Sequence, residues 1–230
     1  MNDEPTRSNA PLLRHGKWLA LTAALALAVL YAMQGRQSNP PAAPEANPAA
    51  PDANQASNTK QPGHQATASG LSPALATGAM RQLVIHSQPK PLPAITALDA
   101  KGQPHTLSEW RGTVLMVNFW ATWCPPCRKE MPEIIGLQEA FAGKGFRVVA
   151  ISEDYKGYDW AFQALKMMGG QNLTLLWDKG NAALRALNER GLPVTLLLDR
   201  QGREVARLIG PASWNSDEAQ AVIRALLAQK

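Results

Sequence analysis

Residues Val114 to Trp120 read VLMVNFW, and four residues further on the chain reads Cys124-Pro125-Pro126-Cys127. A nearly unbroken apolar run of that length suits a strand buried on both faces, which places it in the middle of a covered sheet. A helical stretch follows to about Phe141. Arg147–Ser152 (RVVAIS) and Leu173–Trp177 (LTLLW) are the next strands, and between them Ala161, Leu165 and Met168 recur at helical spacing. Asn181 is placed to cap a short helix carrying Ala183, Leu184 and Leu187. Thr195–Asp199, the turn Arg200-Gln201-Gly202 and Glu204–Ile209 form a strand pair, antiparallel because the turn is too short for a crossover. A last helix starts near Ser216, capped by Asn215 or Ser216. Asp217 and Glu218 suit its positive end, and Ala219, Val222, Ile223, Leu226 and Leu227 form its apolar face. Upstream, Ala94–Asp99 and His105–Trp110 flank Lys101-Gly102 as an opening hairpin. Strands alternating with helices predict an α/β domain over residues 83–230 with a largely parallel centre.

The chain ahead of that domain has a different character. Trp18–Met33 (WLALTAALALAVLYAM) is uncharged, with Arg7, Arg14 and Lys17 before it and only Arg36 close behind. That asymmetry keeps residues 1–17 in the cytoplasm and sends the rest across the membrane. Sixteen residues span roughly 24 Å at the helical rise, against a hydrocarbon core of about 30 Å, so the flanks or a thinned bilayer must supply the difference. A cleaved signal peptide is the rival reading. Its small-x-small site would be Ala26-Leu27-Ala28, inside the run rather than after it, so an uncleaved single-pass inner-membrane anchor is expected. Residues 34–80 are rich in Pro, Ala, Asn, Gln and Ser, lack aromatics, and read as a disordered tether. The net charge of +5 is spread along the chain with no Lys/Arg block, so no nucleic-acid partner is expected.

Two cysteines in 230 residues, three apart, are too few for a disulfide scaffold or a structural zinc site. Their position explains them better. A thiol at a helix N-terminus faces unpaired backbone N–H groups and the positive end of the dipole, which stabilise the attacking thiolate. Pro125 and Pro126 cost little in the first turn, where N–H groups lack partners anyway. Cys124, nearer the terminus, is expected to attack, and Cys127, one turn inward, to resolve. Trp123, directly before the nucleophile, reads as a rim contact. Trp120, Trp160, Trp177 and Trp214 read as packing, and Met167 and Met168 as core and boundary residues.

NFWATWCPPCRKEMP, with GLPVT and LLLDRQG further on, resembles the TlpA/ResA branch of the thioredoxin superfamily, which also includes cytochrome c maturation reductases. The resemblance covers roughly residues 85–230. It implies a thioredoxin-like fold with an N-terminal hairpin and a central strand–helix insertion. It also implies exported, membrane-tethered proteins that reduce protein disulfides with electrons from a DsbD-like membrane-embedded donor. By the same resemblance Pro193 is a cis-proline beside the sulfurs, which lets the Leu192 backbone pair with substrate. Glu130, three past the second cysteine, assists proton transfer, and Pro132 bends the active-site helix. Asn118 stands where thioredoxins proper carry a buried Asp, so any proton-acceptor role must shift, and Glu130 is the candidate.

The resulting expectation is a protein-disulfide reductase using Cys124, Cys127 and Glu130, with Trp123, Pro125, Leu192 and Pro193 at the substrate, and no cofactor or metal. A periplasmic dithiol oxidase uses the same residues in the opposite direction. A thiol-based copper carrier is the alternative from another class, because soft thiolates favour Cu(I). Apocytochrome c, a copper-site cysteine pair and a general misoxidised pool all fit as clients.

Overall fold

The computed structural model describes residues 70–229; the apolar run at 18–33 and the stretch to residue 69 lie outside the described residues. Among the described residues, eight strands are β1 Val84–Lys90, β2 Thr96–Leu98, β3 Pro104–Thr106, β4 Val114–Trp120, β5 Phe146–Ser152, β6 Thr174–Trp177, β7 Val194–Leu198 and β8 Glu204–Ile209. The α-helices described there are α1 Pro125–Ala140, α2 Tyr158–Met167, α3 Ala182–Ala186 and α4 Asp217–Leu227. The strands form one sheet in the order β1-β8-β7-β4-β5-β6-β2-β3. β4, β5 and β6 run parallel, while β7 lies antiparallel to β4, and β8 and β1 continue antiparallel to that edge.

Every residue of β4 is buried, and the period-two alternation of a strand divides its side chains between two cores. Val114, Met116 and Trp120 face α1, α2 and α4, joining Met131, Ile134, Leu165 and Ile223. Leu115, Val117 and Phe119 face the other way, toward Ile95, Leu107 and the α3 residues Ala183 and Leu184. Asn118 falls in the α1-facing register, so a buried amide points at the helix that carries the cysteines.

Several local expectations change. The packed region begins before Leu83: Leu71, just ahead of a 3₁₀ turn at Pro73–Leu75, and Met80, in a second at Gly78–Met80, are fully buried against the α1- and α4-side core. Residues 70–80 therefore belong to the domain and not to a disordered tether. β1 was not legible, because VIHSQPK has no alternation and its edge position leaves most of it exposed. The hairpin forms, but Leu107–Trp110 is a 3₁₀ turn in which Glu109 Oε1 accepts from the Thr106 N–H at 2.7 Å. Asn181 occupies the position before α3 in a left-handed conformation and does not cap it. Asp178 caps instead, accepting from the N–H groups of Ala182, Ala183 and Leu184. The closing helix is capped by Ser216, whose Oγ accepts from Ala219 N–H.

The burial of Leu71 and Met80 sets an expected outcome. Leu71→Ala and Met80→Ala should each lower stability by about 2–5 kcal/mol, the range for truncating a filled core position. Urea midpoints equal to the parent's would return this segment to the tether.

Candidate active site

β4 ends at Trp120, and the chain needs only Ala121, Thr122 and Trp123 to reach the start of α1. Cys124 is the N-cap residue of that helix, with Pro125 in its first turn. Its sulfur accepts the Cys127 N–H at 3.3 Å, and the two cysteines are joined as a disulfide with Cα atoms 5.3 Å apart. The same N–H that now meets a disulfide sulfur would stabilise a Cys124 thiolate on reduction. Cys127 is sealed at 0% exposure, while Cys124 retains 4%. Cys124 also lines a groove of about 290 Å³ with Trp123, Pro125, Leu184, Arg190 and Leu192. The expected order of exposure is present, although Cys124 is itself nearly covered.

Leu192–Pro193 is a cis peptide bond. The Pro193 carbonyl accepts from Gly210 N–H at 2.9 Å, tying the end of this loop to the strand beside β7. Trp123 is 53% exposed at the rim. The structure thus brings Trp123, Cys124, Pro125 and Leu192 to one groove, with Pro193 directly after it.

Glu130 lies on the other side of the cysteine pair, one turn beyond Cys127 on the same helical face. It is 3% exposed, so it is not a solvated neighbour of Arg128 and Lys129. Its Oε1 accepts from Asn118 Nδ2 at 3.1 Å, and its Oε2 accepts from Ala212 N at 3.0 Å and Trp214 Nε1 at 3.2 Å. Asn118 Nδ2 also reaches Thr195 Oγ1 at 3.0 Å, so the amide spans β4's two neighbours in the site, α1 and β7. Burial pushes the Glu130 carboxyl up to about 7, against the opposing effect of these hydrogen bonds. A carboxyl so placed is divided between its two protonation states at neutral pH. It borders a second cleft, of about 560 Å³, with Pro126, Lys129, Arg81 and Ala212.

Other residues of the site carried no clear sequence signal. Asp154, just past β5, accepts from Thr122 N at 3.0 Å, from Thr122 Oγ1 at 2.6 Å and from Ser152 Oγ at 2.8 Å. This fastens the short segment that delivers Cys124. Trp160 Nε1 donates to the same Thr122 hydroxyl at 3.0 Å, and the Lys156 ammonium sits 3.9 Å from the Trp160 ring centroid. Trp160 is half exposed and not core, as is Tyr155 more fully, so aromatic surface extends from Trp123 toward α2. Met167 is exposed as well, whereas Trp120 and Trp214 are buried as expected. Glu153 is buried beside Asp178; burial first, then that neighbouring carboxylate, push it up to about 9, so it is neutral at physiological pH. Among the described residues, no group of three or more His, Cys, Asp or Glu side chains is placed to hold a metal ion. Among them, too, no helix is long and apolar enough to cross a membrane.

A family model described as Redoxin matches residues 88–223. The chain belongs to the Redoxin family. Within it the chain is similar to thiol-disulfide oxidoreductase ResA of Bacillus anthracis, 31% identical over 121 residues that cover 53% of this chain and 69% of that one. It is also similar to ResA of Geobacillus kaustophilus, at 32% over 117 residues, covering 51% and 66%. Among solved structures, a thiol:disulfide interchange protein of the DsbE type from Chlorobium tepidum superposes with a TM-score of 0.55 at 27% identity, over 61% of this chain and 97% of that one. The thioredoxin domain of a Bacteroides vulgatus thiol-disulfide oxidoreductase gives 0.52 at 25% identity, over 60% and 97%. The redoxin fold is therefore thioredoxin-like, and the mixed sheet above is its frame.

Glu130 gives this redoxin domain a stability signature that the oxidised protein can report without interference from thiol titration. Its folded carboxyl holds its proton more tightly than the ordinary value of 4.5. The stability from its burial is complete below about pH 4.5 and is lost as pH rises through about 7. Glu130→Gln cannot ionise. Between pH 5 and pH 8 the oxidised variant should gain on the parent by about 3 kcal/mol, at 1.36 kcal/mol per unit. Urea denaturation at the two pH values measures this, and a constant difference would show that Glu130 is ionised throughout.

Proposed function

We propose that this thiol–disulfide oxidoreductase is a reductase of exported protein disulfides, held at the inner membrane by residues 18–33 with its redoxin domain outside the cytoplasm. The supporting observation is the asymmetry of the pair. Cys124 caps α1 at the floor of an open groove, while Cys127 is sealed behind it, one helical turn before a buried carboxyl pushed up to about 7.

In the reduced protein the Cys124 thiolate attacks one sulfur of a client disulfide. A mixed disulfide forms, and the first client sulfur leaves as a thiolate that takes up a proton. Cys127 then gives up its proton and attacks the Cys124 sulfur. The second client thiol is released, and the Cys124–Cys127 disulfide forms. Two electrons have passed to the client. Glu130, poised near neutrality, is the acceptor for the Cys127 proton, a role that Asn118 in its position cannot fill. Trp123, Leu192 and Pro193 line the path of the client chain. Re-reduction requires an electron source, and a DsbD-like donor embedded in the membrane fits a domain confined near the bilayer.

Trapping tests the order of attack. Cys127→Ser should accumulate mixed disulfides with client proteins in cells, because the resolving step is lost, and Cys124→Ser should accumulate few. Equal trapping by both variants would overturn the assignment. Stoichiometric Cu(I) binding without disulfide-reductase activity would favour the copper carrier.

Direction is tested by the state of the pair. The compartment outside the inner membrane is oxidising, so an isolated dithiol there drifts to the disulfide. With its donor present the pair should be mostly dithiol, and should become disulfide when the donor is removed. Acid quenching, thiol alkylation and a gel shift read this out. A mostly oxidised pair that restores disulfide formation in an oxidase-deficient strain would establish the oxidase instead.

A further inference from the structure

The loop between α3 and β7 places Leu192 on the wall of the groove beside Cys124, yet it is neither helix nor strand. From Leu187 onward it turns through Asn188, whose φ is 59°, and runs irregularly to the cis bond before Pro193. Its downstream end is fixed by strand pairing. Its upstream end is held by a side chain from a different part of the sheet. Arg207 of β8 donates through Nη1 to the Leu187 carbonyl at 3.3 Å and to Glu189 Oε1 at 2.7 Å.

Arg207 is itself aimed. Glu204 grips the guanidinium in two-pronged fashion, Nε to Oε1 at 2.8 Å and Nη2 to Oε2 at 2.6 Å, and His86 Nε2 meets the same Glu204 Oε1 at 2.7 Å. None of the four side chains exposes more than 20% of its surface. Burial alone would raise the Glu204 carboxyl, but Arg207 and His86 together hold it below the ordinary range, so the pair is ionised. The alternating register of β8 puts Arg207 on the α3 face of the sheet, opposite the face that carries Glu130. A buried ion pair is weak evidence for stability, since apolar residues of similar volume serve as well or better. What a doubly gripped guanidinium supplies is direction.

We infer that Arg207 is a positioning residue for disulfide exchange, fixing the Leu187–Leu192 loop so that Leu192 presents a client chain in register beside Cys124. This rests on the reading that the Leu192 groove receives the client. Glu204 and His86 orient Arg207, and Glu189 receives it on the loop. The network extends from edge strand β1 to the groove without touching either sulfur.

The deciding variant is Glu189→Ala, which cuts the loop side of the network and leaves the Arg207–Glu204–His86 cluster intact. Arg207→Met strands Glu204 without its cation and serves as a second variant, and Arg207→Lys, a single-pronged cation, should fall between parent and Met. Two substrates separate the roles: a peptide closed by an intramolecular disulfide, and the small aromatic disulfide DTNB, which has no chain to lie along Leu192. Glu189→Ala should raise KM for the peptide about tenfold, within the range that a small misplacement costs. Its kcat, its DTNB turnover and the pH profile of Cys124 alkylation should match the parent's. An unchanged peptide KM overturns the inference, and so does a parallel loss on both substrates with a lowered melting temperature, which would make the network purely structural. Parent activity on the peptide and its loss in Cys124→Ser test the underlying redox reading separately.

Discussion

β4 lies in the middle of the sheet with both faces covered, and this constraint reaches into every part of the site. Burial on two sides makes an unpaired polar group costly, and the Asn118 Nδ2 amide in this strand is matched by Glu130 and Thr195. The rigidity of the strand also sets where α1 can begin. Three residues separate β4 from Cys124, and Asp154 takes up the polar groups of Thr122 within them. The sulfur pair is thus mounted at the start of a helix that follows directly from the central strand.

The two faces of the sheet carry different polar clusters. On the α1 side lie Asn118, Thr195, Glu130 and Trp214, a buried polar cluster that surrounds a titrating carboxyl. On the α3 side lie Arg207, Glu204 and Glu189, an ion-paired cluster that borders the loop before Pro193. The cysteines stand at the end of the sheet between these two environments. In the mechanism proposed above, proton handling and client placement draw on separate sets of residues, which share only the strands between them.

What was legible in the chain follows from how strongly each element is constrained. β4 to β8, α1 and α4 could be read because burial on both faces or on one helical stripe leaves an unmistakable apolar pattern. The cysteine pair was legible because its position at a helix start has chemical meaning. Pro193 as a cis residue came from resemblance, not from spacing. β1, at the sheet edge, buries too little to imprint a pattern, and Leu71 and Met80 are isolated apolar residues in a stretch whose composition resembles a linker. Trp160 read as core because tryptophan is large and apolar; only the structure shows its indole N–H turned to Thr122 and its ring to Lys156. Arg207, Glu204 and Glu189 carried no signal in the sequence, since an ion network formed between β8 and a distant loop has no linear signature.

Because β7 lies antiparallel to β4, the end of one strand is beside the beginning of the other, and Phe119 pairs with Val194. The segment carrying Cys124 leaves the end of β4 just where Pro193 leads into β7, so two segments about seventy residues apart in the chain meet across the β4–β7 pair. A strand slipped by a single residue presents its alternate face. Here such a slip would swing Thr195 away from Asn118 and shift Pro193 against the segment that carries Cys124 at the same moment. Correct strand pairing and assembly of the cysteine site are thus a single event: a misregistered sheet leaves the site unbuilt.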